Sequence, residues 1–192
     1  MHSLAPDPIV LERHVAVLEA ENLQLTERAL GAEQRLARAA QLYASVSQLH
    51  QAADTDEVVI VIKEIVANLV GCEEMGVYDV WPQGPVCTYV DGIGLDADLF
   101  GSLPPTHAQV REGIATGALV LPADPMAEPI HGRPVTAVVP LTDQGAVCGL
   151  VVLFQLLRQK PRLDEADRDL LEALAAHAGR ALVHARLREQ VR

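Results

Sequence analysis

Two side-chain types in this chain could carry chemistry outright, and their spacing decides how far each can go. Cysteine occurs at Cys72, Cys87 and Cys148. No pair has C-x-x-C spacing and the number is odd, which suits free thiols in a reducing compartment rather than a disulfide framework. A catalytic thiol needs a depressed pKa, and redox turnover needs a second thiol within reach. Cys72 follows the helix end at Gly71, Cys87 falls in mid-strand and Cys148 sits in the most apolar strand. In the last two positions cysteine behaves as a small hydrophobe. Among seven histidines, His177 and His184 are seven apart on one stripe of the last helix, and His50 closes a helical seam. Two histidines from each of two copies could hold a metal or form a pH-sensitive seam. A zinc site usually needs tighter spacing with oriented carboxylates behind it. Partly exposed interface histidines are therefore the preferred reading, with no metal and no cofactor assigned.

The elements that position these residues begin with that seam. Leu11, Val15, Leu18, Asn22, Leu25, Ala29, Ala32, Leu36, Ala39, Tyr43, Val46 and His50 follow an unbroken 4,3 spacing. Leu11, Leu18, Leu25, Ala32, Ala39 and Val46 take d, and the rest take a. A strict period of 3.5 argues a left-handed coiled coil, because a helix lying on its own domain shows a wider apolar face. Asn22 at a can pair with its own copy across a parallel dimer, fixing register at a cost in stability. Arg28 at g can reach Glu33 at e of the partner. A parallel homodimer is expected.

The totals exclude several classes. Of 192 residues, a coil of 9–52 leaves one globular core at 53–192. With 26 acidic against 15 basic residues the net charge is −11, which repels nucleic acid and anionic membrane surfaces. No apolar run is long enough to span a bilayer. Residues 1–8 lack a signal-peptide pattern and read as disordered, so a cytoplasmic location is expected.

Along the globular part, Asp54 with Glu57 three residues on caps a helix that ends at Gly71. Strands are expected over Met75–Trp81 and Pro85–Val90, joined by Pro82-Gln-Gly84, with a turn at Asp91–Gly94. Asp96–Pro105 reads as a loop or short helical turn. Thr106 can cap a helix to Thr116, ended by Gly117, before a brief strand over Ala118–Leu121. Pro122–Pro134 holds four prolines and reads as a long functional loop. Val135–Leu141 and Ala146–Leu156 form the strongest hairpin, across Thr142–Gly145. Asp164 caps a helix to the C-terminus. The order implies an α+β fold, a mainly antiparallel sheet with helices layered on it.

Val135-Thr-Ala-Val-Val-Pro-Leu141 with Val147-Cys-Gly-Leu-Val-Val-Leu153 resembles the paired core strands of a GAF domain. Arg162-Leu-Asp-Glu-Ala-Asp167 and the Ala-rich run to Leu182 are similar to that family's last helix. Val110–Val120 resembles its helix, Thr-Gly and strand passage. The resemblance covers about Ala40–Arg192 and implies the GAF fold. Family sites are mostly missing: there is no Asn-Lys-Phe-Asp-Glu signature, no Cys-His pair for a bilin, and only 3% aromatic residues. The free methionine-sulfoxide reductase class remains as the enzymatic alternative, but the loop 122–134 holds no cysteine. The resemblance also implies a cavity roofed by the helix and long loop, where His107, Arg111, His131 and Arg133 could orient a small anion.

The resulting expectation is a non-catalytic homodimeric signalling or adaptor module, able to sense a small ligand and acting on an unidentified signalling protein. The helix 164–192 should pack beside the end of the first, two copies making a four-helix bundle. Leu42 and Leu49 at g widen the seam there, and Leu170, Leu174, His177 and Ala181 join the dimer interface. No kinase, cyclase or DNA-binding signature follows in the sequence to Arg192, so the output is expected to be another protein unless the chain is a fragment of a longer one.

Overall fold

Local signals at helix starts explain most of the architecture of the computed structural model, which describes residues 8–81, 86–104 and 106–191, with side chains from His14 onward except Arg38. The N-terminal stretch through residue 7 and the Pro82-Gln-Gly84 turn lie outside the described residues. Two compact units emerge, Met1–Gln41 and Leu42–Arg192.

Helix α1 spans Pro8–Gln51. In the first unit its seam residues stand exposed: Val15, Leu18, Leu25 and Leu36 keep 47%, 54%, 60% and 72% of their surface.

In the second unit, Asp54 caps α2 (Thr55–Ile65) by accepting the Glu57 N–H at 2.9 Å, while the Glu57 carboxylate accepts the Ala53 N–H at 2.7 Å. A π-helical turn over Val66–Val70 follows, and Gly71 ends it at φ 76°. Strand β1 (Cys72–Val80) starts three residues earlier than the sequence suggests, directly after that glycine. Strand β2 (Cys87–Ile93) runs straight through the expected turn at Asp91. The reason is Gly92: it faces Gly76 across the ladder, and a Cβ there would sit 2.4 Å from the Met75 carbonyl. This glycine marks a close approach within a strand, and the chain turns only at Gly94, φ 68°. Asp96 caps the short α3 (Ala97–Phe100), and a two-residue β3 (Ser102–Leu103) follows it inside the segment read as a loop or short helical turn.

Helix α4 spans Ala108–Thr116 and ends at Gly117 as expected, but His107 rather than Thr106 holds its N-cap position. The stretch 118–121 makes a single bridge, Val120 to Val138, instead of a strand. Strands β4 (Ala137–Asp143) and β5 (Ala146–Leu156) form the expected hairpin. Its turn tightens to Gln144-Gly145, both at positive φ (50° and 83°), the twist that suits a two-residue hairpin. Asp164 and Asp167 cap α5 (Glu165–Val191) reciprocally, each carboxylate accepting the other's N–H at 2.8 and 2.9 Å.

The sheet order is β3-β2-β1-β5-β4, antiparallel throughout. One face packs on α2, α5 and the last turns of α1, around Met75, Val77, Val139, Val151 and Leu153. The other face lies under α3, α4 and the loop 122–134, around Tyr78, Phe100, Leu150, Val152 and Phe154. Period-two alternation along each strand sorts these sets.

Helix α5 lies close on β4. At Gly179 a Cβ would fall 2.3 Å from the Thr142 carbonyl oxygen, so only glycine permits this approach. Leu170, Leu174 and Ala181 are buried at 3%, 0% and 3% exposure in the protomer's own core. The dimer-interface role read for them from the sequence gives way to this packing: a helical stripe shows that a face is buried, not against what. Leu49 is likewise fully buried and Leu42 half-buried in the same core, so these g residues anchor the end of α1 instead of widening a seam.

Candidate functional site

Four residues from α4 and the long loop were expected to surround a cavity. His107 is buried, and its Nε2 lies 2.6 Å from the Glu128 carbonyl. The Glu128 carboxylate accepts the Ala108 N–H at 2.9 Å, so one loop residue both caps α4 and fixes its first histidine. Arg133 sits opposite Ile130 in a tight two-way backbone pairing (2.9 and 3.0 Å) and reaches Glu74 on β1 at 3.0 Å. His131, at φ 49°, lays its exposed ring edge-on to Phe100 at 5.2 Å. Arg111 is exposed on α4 and forms no ion pair among the described residues. The structure thus brings His131 and Arg133 into one turn and ties His107 to the same loop, while Arg111 stands apart.

Two tyrosines of the sheet pack beneath that roof. Tyr78 is fully buried and folds back over Gly76, whose Cβ would meet the phenol at 2.6 Å. Tyr89 does the same over Gly92, with its hydroxyl 2.7 Å from the Cβ position, and the two rings meet edge to face at 5.6 Å. Sequence reasoning missed this arrangement, although a glycine inside each of two neighbouring strands, two or three residues from a tyrosine, was its signal. Burial pushes the Tyr78 phenol above its ordinary range, with Tyr89 and Cys87 adding to the shift. The Tyr78 hydroxyl, Glu74 Oε2, His107 Nδ1 and Gln109 Oε1 are buried without a hydrogen-bond partner.

The thiols are poorly placed for nucleophilic work. Burial pushes Cys72 up to about 12, with the nearby Glu74 and Glu73 adding to the rise, and its Sγ donates to the Glu74 and Gln155 carbonyls, both at 3.2 Å. Burial likewise raises Cys87 and Cys148 to about 11, against the thiolate form that attack requires. Among the described residues no group of three or more His, Cys, Asp or Glu is placed to hold a metal ion. His50 and His177 form only a pair, Nε2 to Nδ1 at 3.2 Å. No helix of the described residues is long and apolar enough to cross a membrane.

The model of the GAF domain matches residues 37–182, most of the chain and all five strands. This chain belongs to the GAF family. Solved GAF structures agree in fold. The GAF domain of a Coxiella burnetii phosphoenolpyruvate-protein phosphotransferase superposes with TM-score 0.65 at 14% identity, covering 80% of this chain and 96% of that one. The Geobacter sulfurreducens GAF domain/HD domain protein gives 0.59 at 20% identity, covering 72% and 98%. The free methionine-R-sulfoxide reductase from Neisseria meningitidis, solved with its substrate, gives 0.60 at 19%, covering 76% and 88%. No curated protein matches the chain. GAF domains recur in signalling proteins, and at these identities the solved structures carry the fold alone.

Proposed function

We propose that this GAF protein is a non-catalytic signalling or adaptor module that works as a cytoplasmic parallel homodimer and acts through contacts with another signalling protein. The observation that supports it is the bare seam of α1, where Leu18, Leu25, Leu36 and Tyr43 expose 54%, 60%, 72% and 76% of their surface at 3.5-residue spacing. A single water-facing helix gains nothing from such a stripe, whereas a second copy buries it. On α5 the outward stripe is Ala173, His177, Arg180, His184 and Leu187, since Leu170, Leu174 and Ala181 are committed to the core. That stripe is the α5 contribution to a four-helix bundle. Sedimentation equilibrium tests the reading: a dimer at micromolar concentration is expected, and a monomer there overturns it.

The enzymatic alternative uses thiols, and three cysteines raised to about 11 or 12 argue against it. Wild-type protein with a thiol reductant should leave free methionine sulfoxide unreduced. Measured turnover that vanishes on replacing Cys72, Cys87 and Cys148 by serine would reinstate it.

Ligand sensing is supported by one observation, the orphaned Tyr78 hydroxyl and Glu74 Oε2 on the roofed face. A polar group buried without a partner costs about 1–3 kcal/mol, which a bound ligand would relieve. A metabolite that stabilises wild type but not Tyr78→Phe in a thermal-shift screen would establish sensing. If none does, the adaptor stands without a ligand.

A further inference from the structure

Beyond the dimer and the roofed face, one groove carries a charge opposite to the rest of the molecule. It runs between the start of the long loop and the connection from β5 to α5, with a volume of about 690 Å³. That size falls within the roughly 300–1,000 Å³ of small-molecule sites. Half-buried leucines form its apolar floor, above the buried Phe154, and prolines of both segments line its sides. Arg158, Lys160, Arg162 and Arg168 line it, and no acidic residue does. In a chain with 26 acidic and 15 basic residues, a groove whose charged lining residues are all cations is a marked local reversal.

The four cations differ in state. Lys160 is engaged: its Nζ reaches the Asp167 carboxylate at 2.6 Å and the Val70 carbonyl at 2.5 Å. With the Leu157 N–H donating to the Gly71 carbonyl at 2.9 Å, these contacts pin the connection to the body of the domain. Arg158, Arg162 and Arg168 are exposed and have no ion pair among the described residues, whereas Arg133, Arg180 and Arg186 each face a carboxylate. The Asp164 and Asp167 N–H groups at the start of α5 are already taken by each other's carboxylates, and the exposed guanidinium groups supply the charged donors for a ligand.

We propose that this groove binds a small ligand carrying a multiply charged phosphate group, its phosphates held by Arg158, Arg162 and Arg168 and its less polar part lying on the half-buried leucine floor. Arginine suits the task because its planar fork meets phosphate oxygens two at a time. A pinned backbone presents the three side chains at low ordering cost. The site uses no residue of the dimer seam, so its fate is independent of the oligomeric state.

Isothermal titration calorimetry on the full chain tests this, with inorganic pyrophosphate and a nucleoside diphosphate as probes. Binding of either is expected, weakening with added salt and falling about tenfold for each of Arg158→Gln, Arg162→Gln and Arg168→Gln. Tighter binding of the nucleoside diphosphate than of pyrophosphate would assign the floor to a base or sugar; equal binding would confine recognition to the phosphates. Arg35→Gln, in α1, should bind as wild type does. The proposal is overturned if neither probe binds, if the triple arginine variant binds equally well, or if only an acidic peptide such as hexaglutamate binds. Circular dichroism of the triple variant checks that it is folded, as expected for three exposed side chains.

Discussion

The Lys160–Asp167 pair is the most exacting place to test the packing of the β5–α5 connection. Asp167 is fully buried, Lys160 keeps 21% of its side-chain surface, and their charged atoms stand 2.6 Å apart. In Lys160→Met the carboxylate keeps the Asp164 N–H at 2.9 Å but loses its cation, and the Val70 carbonyl loses a donor. Breaking a buried pair from one side costs about 3–5 kcal/mol. The partial exposure of Lys160 discounts that figure for solvent screening, to about 2–4 kcal/mol. For a chain of this size, each kcal/mol moves Tm by about 2–4 °C, so a fall of about 5–15 °C is expected. The double variant Lys160→Met/Asp167→Asn removes the stranded charge while keeping an acceptor for the Asp164 N–H. It should recover about 1–2 kcal/mol relative to Lys160→Met alone, because part of the penalty is that of keeping a carboxylate charge buried without Lys160. Urea denaturation of wild type, Lys160→Met, Asp167→Asn and the double variant supplies the cycle. A Lys160→Met variant within about 1 kcal/mol of wild type, or a double variant no more stable than the single, would refute the reasoning.

Further expectations follow from other elements. Asn22→Leu should raise thermal stability while admitting higher oligomers, as read by melting and sedimentation; a variant less stable than wild type would remove Asn22 from the seam. Gly179→Ala should destabilise by about 1–3 kcal/mol despite the better helix propensity of alanine, because the new methyl meets Thr142 backbone; an unchanged urea midpoint would contradict the contact. Burial, then His50 and Arg180, hold His177 below its ordinary pKa of 6.5. The unfolded chain therefore takes up that proton first, so stability is intact above pH 6.5 and falls as the pH drops below it. His177→Gln should flatten that fall, and an equal slope in both proteins would deny His177 the effect.

What could be read from the sequence was what local chemistry dictates. The acidic caps at Asp54 and Asp164, the glycine stops at Gly71 and Gly117, and the β4–β5 hairpin follow from residue types a few positions apart. The continuation of β2 through Asp91-Gly92 was not legible, because a glycine demanded by a neighbouring strand looks like one demanded by a turn. His107 took the cap position from Thr106 since Glu128, twenty residues beyond Ala108, supplies the carboxylate that accepts the Ala108 N–H. Of His107, Arg111, His131 and Arg133, the fold gathers three at the loop 122–134 and leaves Arg111 exposed on α4, a matter of side-chain direction that residue types alone do not give. The basic groove was missed for a related reason: its walls come from 121–136 and 154–168, and its charge reversal exists only once they are side by side.

The seat of Gly179 on Thr142 has a mechanical consequence. A helix packed through long side chains can slide along a sheet, since knobs find new holes one turn away. Here a slide of one turn would drive Ala175 or Leu182 toward the place where only a hydrogen fits, at 2.3 Å from a backbone oxygen. Shear between α5 and β4 is sterically barred, and the Cys148 thiol, donating to the Gly179 carbonyl at 3.5 Å, fastens the same point. Helix and sheet therefore move as one piece. Whatever displaces the domain must be passed on as rotation of that piece about its connections, not as a ratchet of its last helix.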